Sequence, residues 1–287
     1  MINHRFLGND IPEIEYNEAK VIIIPAPMEE TVSYGSGTRK GPEAILRASS
    51  YVELYDEELV KEQYEIGIHT ASEISPELSQ PEFLNELEAR VYQVATDGKY
   101  PVIIGGEHSL SIAPVKAFKQ TYHQNFSVLH LDAHSDLRHI YQDSLDSHAC
   151  VMRRIYEQEI DFVSVGIRSL SVEEAELIEK QKLKTYFAKD IYKTDNWIEE
   201  VVSSLNDKIY ITLDVDVFDP SVISHTGTPE PGGLTWYPIL KLFKKISHQK
   251  KQVIGFDLVE FSPKQHHDSE SFTCAKLIYK MIGYFYS

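Results

Sequence analysis

Three short runs of this sequence carry acid and imidazole side chains at spacings suited to metal ions. They are Asp132-Ala133-His134-Ser135-Asp136, Asp214-Val215-Asp216 and Gly105-Gly106-Glu107-His108. In extended backbone, alternate residues point to one side. Asp132, His134 and Asp136 can therefore face one point in space, and Asp214 and Asp216 can meet them from another segment. His108 follows two glycines, where missing side chains let the backbone approach closely. Hard oxygens with a minority of imidazole suit Mn²⁺ better than Zn²⁺, which prefers more His or Cys. Four carboxylates also offset two dications, and paired divalent ions generate a strong nucleophile from water near neutral pH. Without ions, such converging carboxylates would repel one another and take up protons. Any one of these residues alone is an ordinary helix cap or turn former; the conjunction behind apolar strands is what points to chemistry.

The elements that must position these residues are legible as apolar runs. Strands are expected over 20–27, 101–106, 126–132, 161–167, near 184–187, 208–216 and 252–261. Helices are expected over 41–59, 81–98, 109–122, 148–158, 172–181, 196–207, 237–249 and 271–286. In 81–98, Phe83, Leu84, Leu87, Val91 and Val94 recur on one face and Gly98 stops the helix. Pro42 stands early in its helix, where a missing N–H is harmless, and Ser109 is a candidate cap. Strand–helix alternation predicts a three-layer α/β/α fold with a mostly parallel central sheet. In such sheets ligands bind beyond the carboxyl ends of the strands. The acidic runs, Gly105–His108, and Asp257 and Glu260 late in the last strand all fall at that edge. There is no repeat, low-complexity tract or Gly/Ser/Pro-rich linker, so one domain over 1–287 is the simplest organisation.

The motifs GGEHS, LDAHSD, DSHAC, ITLDVDVFDP, TGTPEPGG and GFDLVEFSP, with ETVSYGSGTRKGPEAILRAS before them, stand in a known order. Over about residues 20–263 the chain resembles the ureohydrolase family of arginases and agmatinases, agmatinases most closely. The resemblance implies an arginase-like fold and two Mn²⁺ ions per chain. It implies one ion held by His108, Asp132, Asp136 and Asp214, and a second by Asp132, His134, Asp214 and Asp216. Asp136 would also pass a proton to the leaving amine, His148 would shuttle protons with solvent, and Glu260 would hold the substrate guanidinium. Ala149 stands where the family most often has glycine. Arg153 and Arg154 read as ion-pair formers, and Cys150 as a small buried filler rather than a nucleophile.

The bulk composition bounds the partners. Among 287 residues, 42% are hydrophobic, enough for a sizeable core, and the net charge is −16. That balance disfavours nucleic acid, whose backbone needs clustered Lys and Arg, and favours a small cationic substrate, which the resemblance implies is a guanidino compound. Two cysteines and no CxxC suit a reducing, cytoplasmic setting. The opening residues read as no secretory signal, and no apolar run reaches the roughly 20 residues of a membrane span. Glu230, with Asp143 and Asp146, suits a substrate with an ammonium tail, so agmatine is the expected substrate. Arg138 and His139 in the same loop keep arginine, guanidinobutyrate and formiminoglutamate as alternatives. A non-catalytic metal-binding member of the fold and a single-metal deacetylase are the other readings. The family resemblance also implies a homo-oligomer, a trimer or hexamer.

Overall fold

The first apolar run, Val21–Ala26 (β1), is buried at all six positions, which requires cover on both faces of the strand. Its residues alternate between two cores: Val21 and Ile23 enter one, Ile22 and Ile24 the other. The computed structural model describes residues 4–194, 196–264 and 269–287; residues 1–3 of the N-terminal stretch read above lie outside them. The same alternation recurs in β5 (Tyr100–Gly105), β6 (Ser127–Leu131), β7 (Asp161–Ile167), β9 (Lys208–Asp214) and β10 (Gln252–Val259). With β4 (Ile68–Thr70) and β8 (Lys184–Phe187) they form an eight-stranded sheet in the order β4-β1-β5-β10-β9-β6-β7-β8. Every neighbouring pair in it is parallel.

Helices cover both faces. On one side α1 (Gly41–Ser49), α7 (Trp197–Ser204), α8 (Trp236–His248) and α9 (Ser269–Tyr286) enclose one core. On the other, α2 (Gln80–Thr96), α3 (Ile112–Tyr122) and α4 (Val151–Glu157) enclose the second, with half-buried Leu177 and Ile178 of α5 (Val172–Gln181) packed against it. A short α6 (Ala188–Ile191) follows β8. The expected three-layer α/β/α architecture is thus the observed one. The apolar stripe of α2, from Phe83 to Val94, is buried as its spacing predicts. Among the described residues no helix is long and apolar enough to cross a membrane.

Two local expectations fail for tertiary reasons. The helix expected over 41–59 ends at Ser49, and Tyr55–Asp56 (β2) instead pairs antiparallel with Lys61–Glu62 (β3). Asp56 is fully buried there, 3.0 Å from the ammonium of Lys280 on α9. A buried ion pair broken on one side is costly, so this contact outweighs the local helical pattern. Ser109 is not a cap: Glu107 precedes a 3₁₀ turn over His108–Ser111, and the Ser109 hydroxyl donates to the Glu107 carboxylate. Edge strand β4, with its polar His69 and Thr70, was not expected at all.

Strand order explains how distant residues meet. The chain lays down β5 and β6 with two strand widths between them, and β9 and β10 fill that gap last. The carboxyl ends of four adjacent strands, β5, β10, β9 and β6, therefore present His108, Glu260, Asp214 and Asp132 side by side. The turn after β5 depends on Gly106, where an added methyl would sit 1.9 Å from the Met28 carbonyl oxygen. No other residue type fits against that backbone.

Candidate metal centre

His108 is the centre of the cluster. Its Nδ1 is buried and has no hydrogen-bond partner. Yet three carboxylate oxygens surround it: Asp132 Oδ2 at 3.1 Å, Asp136 Oδ2 at 3.2 Å and Asp214 Oδ2 at 3.4 Å. The opposite nitrogen is fixed from behind. His108 Nε2 lies 2.9 Å from Thr212 Oγ1, which donates to Asp257 Oδ1 at 2.8 Å. Thr212 can then accept only from a protonated Nε2, so a neutral His108 would turn its Nδ1 lone pair to the cluster. Asp257 is thus not at the strand edge as expected. It lies one layer deeper, fully buried, and is also held by Ser111 and Tyr210.

A second group adjoins the first. His134 Nδ1 lies 3.0 Å from Asp216 Oδ2 and 3.7 Å from Asp132 Oδ1. Asp132, His134 and Asp216 together, and His108, Asp132 and Asp136 together, bring one ligand atom each to within 4.8 Å of one another. Asp132 belongs to both groups, one oxygen toward each. The simple alternation argument holds only in part. Asp136 reaches the cluster through a left-handed backbone (φ 51°), and Val215–Val217 is a 3₁₀ turn rather than strand. The Asp214 carboxylate accepts the Asp216 N–H at 3.0 Å, which folds that turn so both acids face inward.

His130, which the sequence reading passed over, stands two residues before Asp132 on the same face. Its Nε2 meets Asp132 Oδ2 at 2.9 Å and its Nδ1 meets Ser164 Oγ at 3.0 Å. Both nitrogens are engaged, so His130 orients Asp132 rather than offering a free lone pair. Arg168, also missed, donates to the carbonyls of Asp216 and Glu230, each at 2.7 Å. It ties the Glu230 loop to the acidic turn.

The crowding of acids and imidazoles shifts their proton affinities in both directions, holding Asp132 well below its usual range despite its burial. Burial, then Asp216 and Asp132, push the Asp214 carboxyl well above its usual range. Burial, then Asp132, raise Asp216 as well. Burial alone would lower the imidazoles, but the surrounding carboxylates hold His108 well up and His134 at about 12. Burial, then Glu107, raise the Glu260 carboxyl to about 8.

A cavity of about 270 Å³ opens over this floor, lined by His108, His134, Asp136, Asp214 and Asp216 below and by His148, Glu260 and Glu230 on its walls. Glu260 takes a left-handed conformation (φ 63°) and accepts the His108 N–H on Oε1 at 2.6 Å. Arg138 and Tyr141 also line the cavity, with the guanidinium 5.2 Å from the tyrosine ring centroid. Asp143 and Asp146, read as tail-binding acids, are exposed and do not line the cavity. Arg153 and Arg154 pair with Glu157 at 2.9 and 3.2 Å. Cys150 is buried, and burial pushes its thiol up to about 11, which suits a filler.

A family model described as the arginase family matches residues 19–283. The chain belongs to the arginase family. It is 38% identical over 276 residues to an N(1)-aminopropylagmatine ureohydrolase of Synechocystis sp., covering 94% of this chain and 90% of that relative. It is 33% identical to an agmatinase of Pyrococcus horikoshii, covering 99% and 98% of the two chains. The crystal structure of agmatine ureohydrolase of Thermoplasma volcanium superposes with a TM-score of 0.86 at 32% identity, covering 94% of this chain and 91% of that one. The resemblance read from the motifs is therefore correct, and this arginase-family chain is an enzyme of the ureohydrolase class.

Proposed function

We propose that this enzyme hydrolyses a linear guanidine with a cationic tail, agmatine first, to urea and the amine, using two Mn²⁺ ions. The observation that carries the proposal is the buried, unpartnered His108 Nδ1 ringed by three carboxylates at the base of a cavity that Glu260 overlooks. The donor set fits such ions: His108, Asp132, Asp136 and Asp214 would hold one, and Asp132, His134, Asp214 and Asp216 the other. Hard oxygens dominate it, which favours Mn²⁺. When bound, the pair supplies a strong nucleophile from water near neutral pH and neutralises the four aspartates.

The protein's own groups do the rest. A guanidinium carbon is a poor electrophile because its charge is delocalised, so placement matters greatly. Glu260 offers a carboxylate whose Oε2 is not taken by the His108 N–H, and a guanidinium would supply the counter-charge that the carboxyl lacks. Asp136, facing both His108 and the cavity, accepts a proton and delivers it to the leaving amine. His148 exchanges protons between the cavity and solvent.

Glu230 supports an ammonium tail, being a carboxylate in the cavity lining outside the His–Asp cluster. Arg138, which would favour an acidic tail, also lines the cavity, with its guanidinium 5.2 Å from the Tyr141 ring. Tyr34, which is 88% exposed, also lines the cavity, so that wall meets solvent. That exposed wall favours a second reading, N(1)-aminopropylagmatine, whose longer chain would extend along it. Urea release with Mn²⁺ should be measured for agmatine, N(1)-aminopropylagmatine, arginine, guanidinobutyrate and formiminoglutamate. The proposal requires the highest kcat/KM on one of the first two; a preference for an acid-tailed compound would overturn it.

Ion binding should release protons. Asp214, Asp216, His108 and His134 all have raised values, so a cation must displace protons from them. Affinity for Mn²⁺ is therefore expected to rise with pH. At pH 7, calorimetric heats of binding should change with the ionisation enthalpy of the buffer; identical heats in phosphate and Tris would contradict this.

A further inference from the structure

We infer that Glu107, acting through the Thr31 hydroxyl, fixes the proton of His148 on Nδ1 and leaves Nε2 free to take a proton from the cavity. This rests on the reading of His148 as the proton-transfer group. The observation behind it is a chain of contacts that the sequence motifs do not suggest, because Thr31 and His148 lie far apart in the chain.

Glu107 is fully buried and receives four donors. Its Oε2 accepts the backbone N–H groups of Glu30 and, at 2.7 Å, Thr31. Its Oε1 accepts the hydroxyls of Ser109 and, at 2.8 Å, Thr31. A carboxylate can only accept, so the single hydroxyl proton of Thr31 is committed to Glu107. The Thr31 oxygen then has only lone pairs to offer. One accepts the His148 backbone N–H at 3.0 Å. The other faces His148 Nδ1 at 3.2 Å, and only a protonated Nδ1 can make that bond. His148 Nε2, on the far side of the ring, lies 3.2 Å from the hydroxyl of Ser33, which lines the cavity. Ser33 can donate to a bare Nε2, which is consistent with the same tautomer.

One neighbour opposes this arrangement. The Ser147 hydroxyl lies 3.4 Å from Nδ1 and would favour the other tautomer if it donated there. Its distance is at the long limit for a hydrogen bond, whereas Thr31 also binds the His148 backbone and holds the ring and main chain together. In the neutral imidazole one nitrogen donates and the other accepts, and the partner of the first decides the role of the second. Thr31 and Glu107 are positioning residues in this sense; neither lines the cavity. They also anchor the segment that continues into Val32, Ser33 and Tyr34 of its wall.

The test is nitrogen NMR of ¹⁵N-histidine-labelled full-length enzyme loaded with Mg²⁺, with the His148 signals assigned by their loss in His148→Asn. The expected result is a protonated Nδ1 and a bare Nε2 in the unaltered enzyme. Thr31→Val should lose that pattern and lower kcat roughly tenfold, less than the roughly 100-fold minimum of a full general acid–base loss because His148 itself remains. Its KM should change less than its kcat, and its Mn²⁺ content should not change. Thr31→Ser, which keeps the hydroxyl, should recover the pattern and most of the lost kcat. A protonated Nε2 in the unaltered enzyme overturns the inference, as does Thr31→Val keeping both tautomer and kcat. Should Thr31→Val fail to fold, the tautomer of the unaltered enzyme and of Thr31→Ser decides. An undiminished kcat in His148→Asn would instead remove the proton-transfer role of His148, leaving the tautomer measurement to judge the Glu107–Thr31 contact by itself.

Discussion

Asp132→Asn is expected to lower Mn²⁺ content and kcat together, by more than roughly 100-fold in kcat. Residues that merely support a metal ligand typically cost about 10- to 100-fold when replaced. Asp132 should exceed that, because one oxygen faces His108 at 3.1 Å and the other faces His134. An amide also turns one acceptor into a donor, setting it against the His134 backbone N–H, which Asp132 Oδ1 now accepts at 2.6 Å. The measurement is metal analysis beside single-substrate kinetics at saturating Mn²⁺. Unchanged activity in metal-replete buffer would refute the assignment of Asp132 as a shared ligand.

Glu260→Gln should behave differently. The substitution keeps the shape of the side chain and an oxygen for the His108 N–H, but removes the charge that faces the cavity. A hydrogen bond to a charged group is worth about 1.5–3 kcal/mol, so kcat/KM should fall about 10- to 100-fold. Manganese content should stay near normal, since the Glu260 contact to the cluster is the His108 backbone N–H rather than its imidazole. Loss of both ions in Glu260→Gln would show instead that this residue builds the cluster rather than orienting a guanidinium.

The sheet was readable because its central strands are covered on both faces. Val21–Ala26 and Lys208–Asp214 have no solvent side to interrupt the apolar run. Edge strand β4 lacks that signature, and the helix expected over 41–59 covers all of β2, whose Asp56 is held by Lys280, far off in the sequence. The acids and imidazoles that the structure brings together were readable for another reason: they stand in close local groups of types that metal chemistry uses. The residues that aim them were not. Thr212 looks like an ordinary strand threonine until Asp257 and His108 stand on either side of it. His130 had a local signal, since it continues the alternation of Asp132 and His134 by one step. The left-handed turns at Asp136 and Glu260 had none, because neither residue is a glycine.

The late arrival of β9 and β10 has a consequence for biosynthesis. While the ribosome is still adding the final third of the chain, β5 and β6 have no neighbour on their facing sides. Their bare amides and carbonyls are the kind of surface that recruits other strands and aggregates. A prematurely terminated polypeptide would keep that open slot permanently. Asp214 and the Asp216 turn that follows it reach Asp132 and His134 only once that slot is filled.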